Sequence, residues 1–197
     1  MVGISSLGRK VAENIGLVGA AYVMDELIES TGVSYRALQM PAFMDDILNF
    51  NIGSILNQGA FFGSQSGDRK TPSCATRDIA AVATNLLLDD SWSGQGSVPV
   101  LGPEDISFND IAQILSEVLE RPVRYQQISR EAHKAALMQH GMGESYAQGV
   151  VDNQAQADRG IYNADPRTPQ SNTPPSFRQW CKQIDQKMVS TKKWSSP

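Results

Sequence analysis

Two adjacent serines, Ser5 and Ser6, stand where an apolar opening, Val2-Gly3-Ile4, runs toward Gly8. A serine hydroxyl at the carboxyl end of a strand can donate to a carbonyl oxygen that gains charge as a hydride arrives. The same hydroxyls can instead satisfy the amides of the loop that follows. His133 and His140 fall on one predicted helix, two turns or roughly 10 Å apart, which is too far to share a metal ion. Neither Cys74 nor Cys181 is near them in sequence, so no metal site is expected. The G-x-S-x-G turn of one hydrolase class is absent. Gly59, Gly63 and Gly67 are evenly spaced, but they follow no buried strand and open no amphipathic helix, so they read as loop glycines. Asp45 and Asp46, and Asp78 after Arg77, fall in first turns of helices, where negative charge meets the positive end of the dipole.

The elements that would position these groups alternate. Val2 to Ser6 reads as a strand, and Ile15 to Thr31 as a helix whose stripe is Leu17, Ala20, Ala21, Met24, Leu27 and Ile28, with Gly32 as its cap. Val33 to Met40 alternates as a strand that Pro41 ends, and Phe43 to Phe50 follows as a short helix. The segment from Gly59 to Lys70 reads as a loop, and Pro72 to Thr76 as a short strand. Arg77 to Asp90 is a helix, Val98 to Leu101 a strand, and Ser107 with Asp110 forms a capping box for the next helix. Val123 to Ile128 is a strand. Helices follow from Ser129 to about Gly141, from Glu144 to Arg159, and from Ser176 to Val189 behind an irregular proline-rich stretch.

This order predicts an α/β fold with parallel pairing in the first half and a more helical second half. The 197 residues give room for one good core with a small lobe. A net charge of -4 argues against nucleic acid as the main partner, and the basic tail from Lys187 to Lys193 reads as a solvated helix end. No apolar run approaches the roughly 20 residues of a membrane span, and Met1 to Leu7 has no signal-peptide pattern. With only two distant cysteines, a cytoplasmic setting with reduced thiols is the expectation.

Several stretches, taken in order, resemble the C-terminal part of the NmrA-like family of atypical short-chain dehydrogenases/reductases. They are Ile4-Ser5-Ser6-Leu7-Gly8, the run from Met24 through Gly32 and Tyr35 to Met44, Arg77-Asp78-Ile79-Ala80, Val100 to Ser107 continuing through Arg121 to Tyr125, and Asn172 to Trp180. The resemblance implies a partial Rossmann-like parallel sheet with a smaller, mostly helical substrate lobe. It divides the chain into residues 1–100, the C-terminal part of an NAD(P)-binding domain with lobe-crossing segments, and residues 101–197, the substrate lobe with the last helices. It implies NADP or NAD as cofactor, and a small-molecule substrate or a protein partner.

By the same resemblance Ser5 and Ser6 contact the nicotinamide or a substrate carbonyl, and Met40, Pro41, Ala42 and Phe43 lie under the nicotinamide, with core or lid packing as the other reading. The family's lysine, four residues before the acidic position that Asp25 matches, is Ala21 here. Tyr22 is the substitute, turned by about 100° around the helix. The family's G-x-x-G-x-x-G loop has no counterpart, and about the first 110 residues of the family pattern are expected to be missing. Three outcomes follow: an NAD(P)H-dependent reductase, a non-catalytic redox sensor, or a truncated remnant with no ligand. An uncovered strand edge would then favour a homo-oligomer.

Overall fold

The computed structural model describes residues 1–9, 11 and 16–192, with side chains placed as far as residue 184. Ile15, the expected first residue of the long helix, and Lys193 lie outside the described residues, as does the side chain of Met188. Strand β1 (Val2–Ser6) leads to helix α1 (Gly16–Ser30) and strand β2 (Tyr35–Met40). Then come β3 (Ala42–Phe43), α2 (Asp46–Gln58), β4 (Ala60–Gly63), β5 (Thr71–Cys74), α3 (Thr76–Leu88) and β6 (Gln95–Pro99). The second half holds β7 (Asp105–Ile106), α4 (Phe108–Val118), β8 (Arg124–Gln127), α5 (Arg130–Gln139), α6 (Glu144–Asp158), a 3-10 turn (Ile161–Asn163) and α7 (Phe177–Lys192).

The main sheet runs β1-β2-β6, all parallel, as the alternation of strand and helix predicts. A second sheet, β3-β5-β7, mixes one parallel and one antiparallel pair, and β4 pairs with β8 in parallel. The fold is therefore α/β with a Rossmann-like parallel sheet. Strands β4 and β5 cross over: they precede β6 in sequence yet pair with β8 and β7.

Two sequence readings change here. Ala60-Phe61-Phe62 belongs to a strand and not a loop, because Phe61 meets Phe108 edge-on and Tyr125 at a tilt, at 6.0 and 5.2 Å, and anchors the larger core. Helix α2 starts at Asp46, with Phe43 in β3, and runs to Gln58 instead of stopping at Phe50, until Gly59 adopts the left-handed conformation and returns its N–H to Ile55. The capping box is present with both arms: Asp110 N–H donates to the Ser107 hydroxyl and Ser107 N–H to the Asp110 carboxylate.

The larger core draws on both halves of the chain, with Ile55, Phe61, Ile111, Leu115, Phe177 and Trp180 packed together. A smaller one holds Leu38, Met40, Cys74, Ile79 and Val100 beneath the main sheet. A third cluster, Leu7, Leu101, Ala157, Ile161 and Tyr162, closes the carboxyl edge of that sheet, just past β1 and β6.

Helix α1 departs furthest from its hydrophobic pattern. Its buried residues are Tyr22 and Asp25, while Leu17, Val23, Met24 and Leu27 are exposed. Strand β1 is an uncovered edge on the side away from β2, and Ile4 is exposed there. No helix among the described residues is long and apolar enough to cross a membrane.

Candidate functional site

The site begins with a buried acid. Asp25 is wholly buried, and burial of a carboxyl group costs heavily unless both oxygens find partners. Ser5 Oγ donates to its Oδ2 at 2.5 Å and Tyr35 Oη to its Oδ1 at 2.7 Å. One side chain of α1 thus ties together β1 and β2. Burial, reinforced by the bond to Asp25, pushes the Tyr35 phenol up. Gly3 is required opposite it, since a Cβ there would lie 2.2 Å from the Tyr35 hydroxyl oxygen. Ser5 is therefore engaged inside the fold, against α1.

Ser6 lies at the strand end, paired in register with Met40 of β2. Its hydroxyl donates to the Leu7 carbonyl at 3.3 Å, and the Tyr22 phenol donates to the same carbonyl. Leu7 N–H in turn donates to the Met40 carbonyl at 3.1 Å. Burial pushes the Tyr22 phenol up to about 12, with the Ser6 hydroxyl pulling the other way. Tyr162 joins from the 3-10 turn: its phenol donates to Asn153 Oδ1 at 2.8 Å, is raised by burial and is also opposed by Ser6. Three hydroxyls, from Ser6, Tyr22 and Tyr162, therefore cluster at the carboxyl edge of the parallel sheet, where ligands of open α/β sheets bind.

The structure brings Ser6, Tyr22 and Met40 together and turns Ser5 away from them. Met40 and Pro41 are buried, Ala42 is exposed and Phe43 is half-buried. The sequence reading missed Tyr162 and Asn153. The one signal for Tyr162 is its place directly after the Gly160-Ile161 turn that ends α6.

The acidic residues behave differently from simple dipole partners. Asp45 accepts the Thr76 N–H at 2.9 Å and so joins the start of α2 to that of α3. Burial, with Asp45 beside it, raises Asp46 to about 6. Burial also raises Asp78, whose Oδ2 has no hydrogen-bond partner among the described residues. These carboxyls were expected to gain from the dipole, but desolvation outweighs it at Asp46 and Asp78.

The glycine after β1 and the evenly spaced Gly59, Gly63 and Gly67 are closed off by their neighbours. A Cβ at Gly8, in the turn after β1, would lie 2.3 Å from the Ile161 side chain, and at Gly59 2.8 Å from the Pro122 carbonyl. Gly63 and Gly67 are filled by Tyr125 and Asn109. Among the described residues no group of three His, Cys, Asp or Glu side chains could hold a metal ion. His133 is buried against Ser64, with Nδ1 and Oγ 3.3 Å apart, and burial lowers its pKa.

No family model matches the chain. Over 141 residues it is 32% identical to the NAD(P)H azoreductase of Xenophilus azovorans, a stretch covering 72% of this chain and 45% of that protein. The structure superposes on an NADPH-dependent quinone oxidoreductase of Escherichia coli, solved with NADPH, with a TM-score of 0.79 and 20% identity over 93% of this chain and 65% of that one. The triphenylmethane reductase of Citrobacter sp., solved with NADP(H), gives a TM-score of 0.74 and 18% identity over 92% of this chain and 64% of that one. The chain spans less than half the length of the curated relatives it matches. It thus resembles NAD(P)-binding reductases in sequence and shares the fold of solved ones.

Replacing Asp25 by alanine should cost about 3 kcal/mol or more, because Ser5 and Tyr35 both lose their acceptor in the interior. Chemical denaturation would show it, and a loss under 1 kcal/mol would contradict the tie. Asp46 gives a pH signature. Its folded pKa of about 6 exceeds the ordinary 3.8, so the folded state holds the proton more tightly and stability falls as pH rises between those values. Asp46→Asn should therefore match the wild type below that window and exceed it above pH 6 in denaturation midpoint.

Proposed function

We propose that this chain carries the substrate-side elements of an NmrA-like, NAD(P)H-dependent oxidoreductase. The observation that carries the reading is the cluster of Ser6, Tyr22 and Tyr162 hydroxyls beside the Met40–Phe43 segment, at the carboxyl edge of a parallel sheet. The likeness to the azoreductase and the fold shared with the quinone and triphenylmethane reductases support it.

The residues described fit one end of a dinucleotide. Exposed Ala42, between buried Pro41 and half-buried Phe43, leaves a small-residue platform on which a flat ring can rest. Gly8, Gly59, Gly63 and Gly67 do not cradle its phosphates, since the space over each is filled by a neighbour. When bound, the cofactor would supply a hydride. The part of this chain is to hold the acceptor: the Ser6 hydroxyl, released from Leu7, can donate to an oxygen or nitrogen that gains negative charge. Tyr22 is a poor proton source, with its phenol raised to about 12 and bonded to Leu7.

That last observation favours a second reading, a redox sensor that binds the dinucleotide and answers through a protein partner. Calorimetric titration of the 197-residue chain separates the cases. The proposal expects saturable binding of NADPH that reduced nicotinamide mononucleotide reproduces and adenosine 2',5'-diphosphate does not, with NADPH consumed when 1,4-naphthoquinone is added. Binding without consumption selects the sensor. No saturable binding of either nicotinamide compound overturns both.

A further inference from the structure

The two segments that leave the carboxyl ends of β2 and β6 meet on one residue that the readings above do not use. Ser73 in β5 pairs in register with Ala42, just past the end of β2. On its other side, Gly102, just past the end of β6, donates its N–H to the Ser73 carbonyl at 2.9 Å. The approach there is tight: a Cβ on Gly102 would lie 2.1 Å from that carbonyl oxygen. The 3-10 turn bearing Tyr162 packs on the same strand. Ser73 therefore stands at the carboxyl edge that forms the candidate site.

Its hydroxyl is anomalous. Ser73 is only 7% exposed, and its Oγ has no hydrogen-bond partner among the described residues. An unpaired buried hydroxyl is a standing cost to the fold, so its presence calls for a reason. Residues paired across a ladder project to the same face, so Ser73 shares the face of exposed Ala42. The next pair, Phe43 and Cys74, takes the opposite face, toward Leu38 and Val100 in the core. The unpaired hydroxyl thus lies on the Ala42 face of the strand pair, away from that core.

From this placement we infer that Ser73 is a ligand-binding residue, donating its hydroxyl to a carbonyl oxygen of a flat molecule seated over Ala42. The inference rests on the reading of this edge as a redox site. In the free chain the hydroxyl is covered, and a turn about χ1 between staggered wells carries it toward the ligand. Two sources present such a carbonyl: the carboxamide of a nicotinamide and the oxygen of a quinone. A hydroxyl with no partner in the free chain loses nothing when it is removed, whereas the complex loses a bond.

Ser73→Ala in the 197-residue chain tests this on two measurements. Its melting temperature should equal the wild type's or exceed it by up to about 3 °C. Its affinity should fall about fivefold for one of two probes, NADPH or 1,4-naphthoquinone, and the probe affected tells which carbonyl is held. A melting temperature lowered by about 3 °C or more would show that the hydroxyl serves the free fold, and would overturn the inference. Wild type and variant binding both probes equally would remove the role of Ser73 while leaving the redox reading intact. A wild type that binds neither probe would remove the reading and the role of Ser73 together.

Discussion

A carboxyl group with no access to water can be kept only by donors placed on both its oxygens, and Asp25 imposes that condition on everything around it. Ser5 meets it from β1 and Tyr35 from β2. Helix α1 must therefore turn its Asp25 face to the sheet, and Tyr22, three residues earlier on that face, is carried to the Leu7 carbonyl. The apolar residues Val23 and Leu27 are left outward as a consequence. Gly3 has no freedom either, because the Tyr35 hydroxyl occupies the space of its side chain.

From that tie the carboxyl edge is assembled by extension. The chain leaving β1 bonds to the end of β2 through Leu7 and Met40, and Val100 beyond β6 bonds back to Gln39. Leu101 and Thr173 then join the edge to the proline-rich segment of the second half. Tyr162 and Ile161 close it from above, Ile161 by filling the space over Gly8. The residues around Phe61, Tyr125 and Trp180 form a core cluster separate from the one that holds Leu38, Cys74 and Val100.

Periodicity and capping made much of the frame legible. Helix α4, with its Ser107–Asp110 box, and the parallel alternation of the first half are local signals. What failed were features set by distant partners. The burial of Asp25 depends on Tyr35 and Ser5, and a hydrophobic count over α1 points to the wrong face. Strand β4 is four residues long, the last a glycine, and is recognisable only once β8 pairs with it. The same holds at the site. Ser6, Tyr22 and the Met40–Phe43 segment could be named from the resemblance, but Tyr162 reaches Ser6 from the far end of the chain. The unpaired state of Ser73 is a property of packing that no local pattern encodes.

Amide hydrogen exchange on wild type and Asp25→Ala tests most directly whether this buried acid holds the edge together. Alanine removes both acceptor oxygens, so neither hydroxyl keeps its partner. Protection should fall together in β1, α1 and β2, including Leu7 at the edge, while α4 and α7 in the lobe keep theirs. Unchanged protection at Leu7 and along β1, or an equal loss across α4 and α7, would contradict the account.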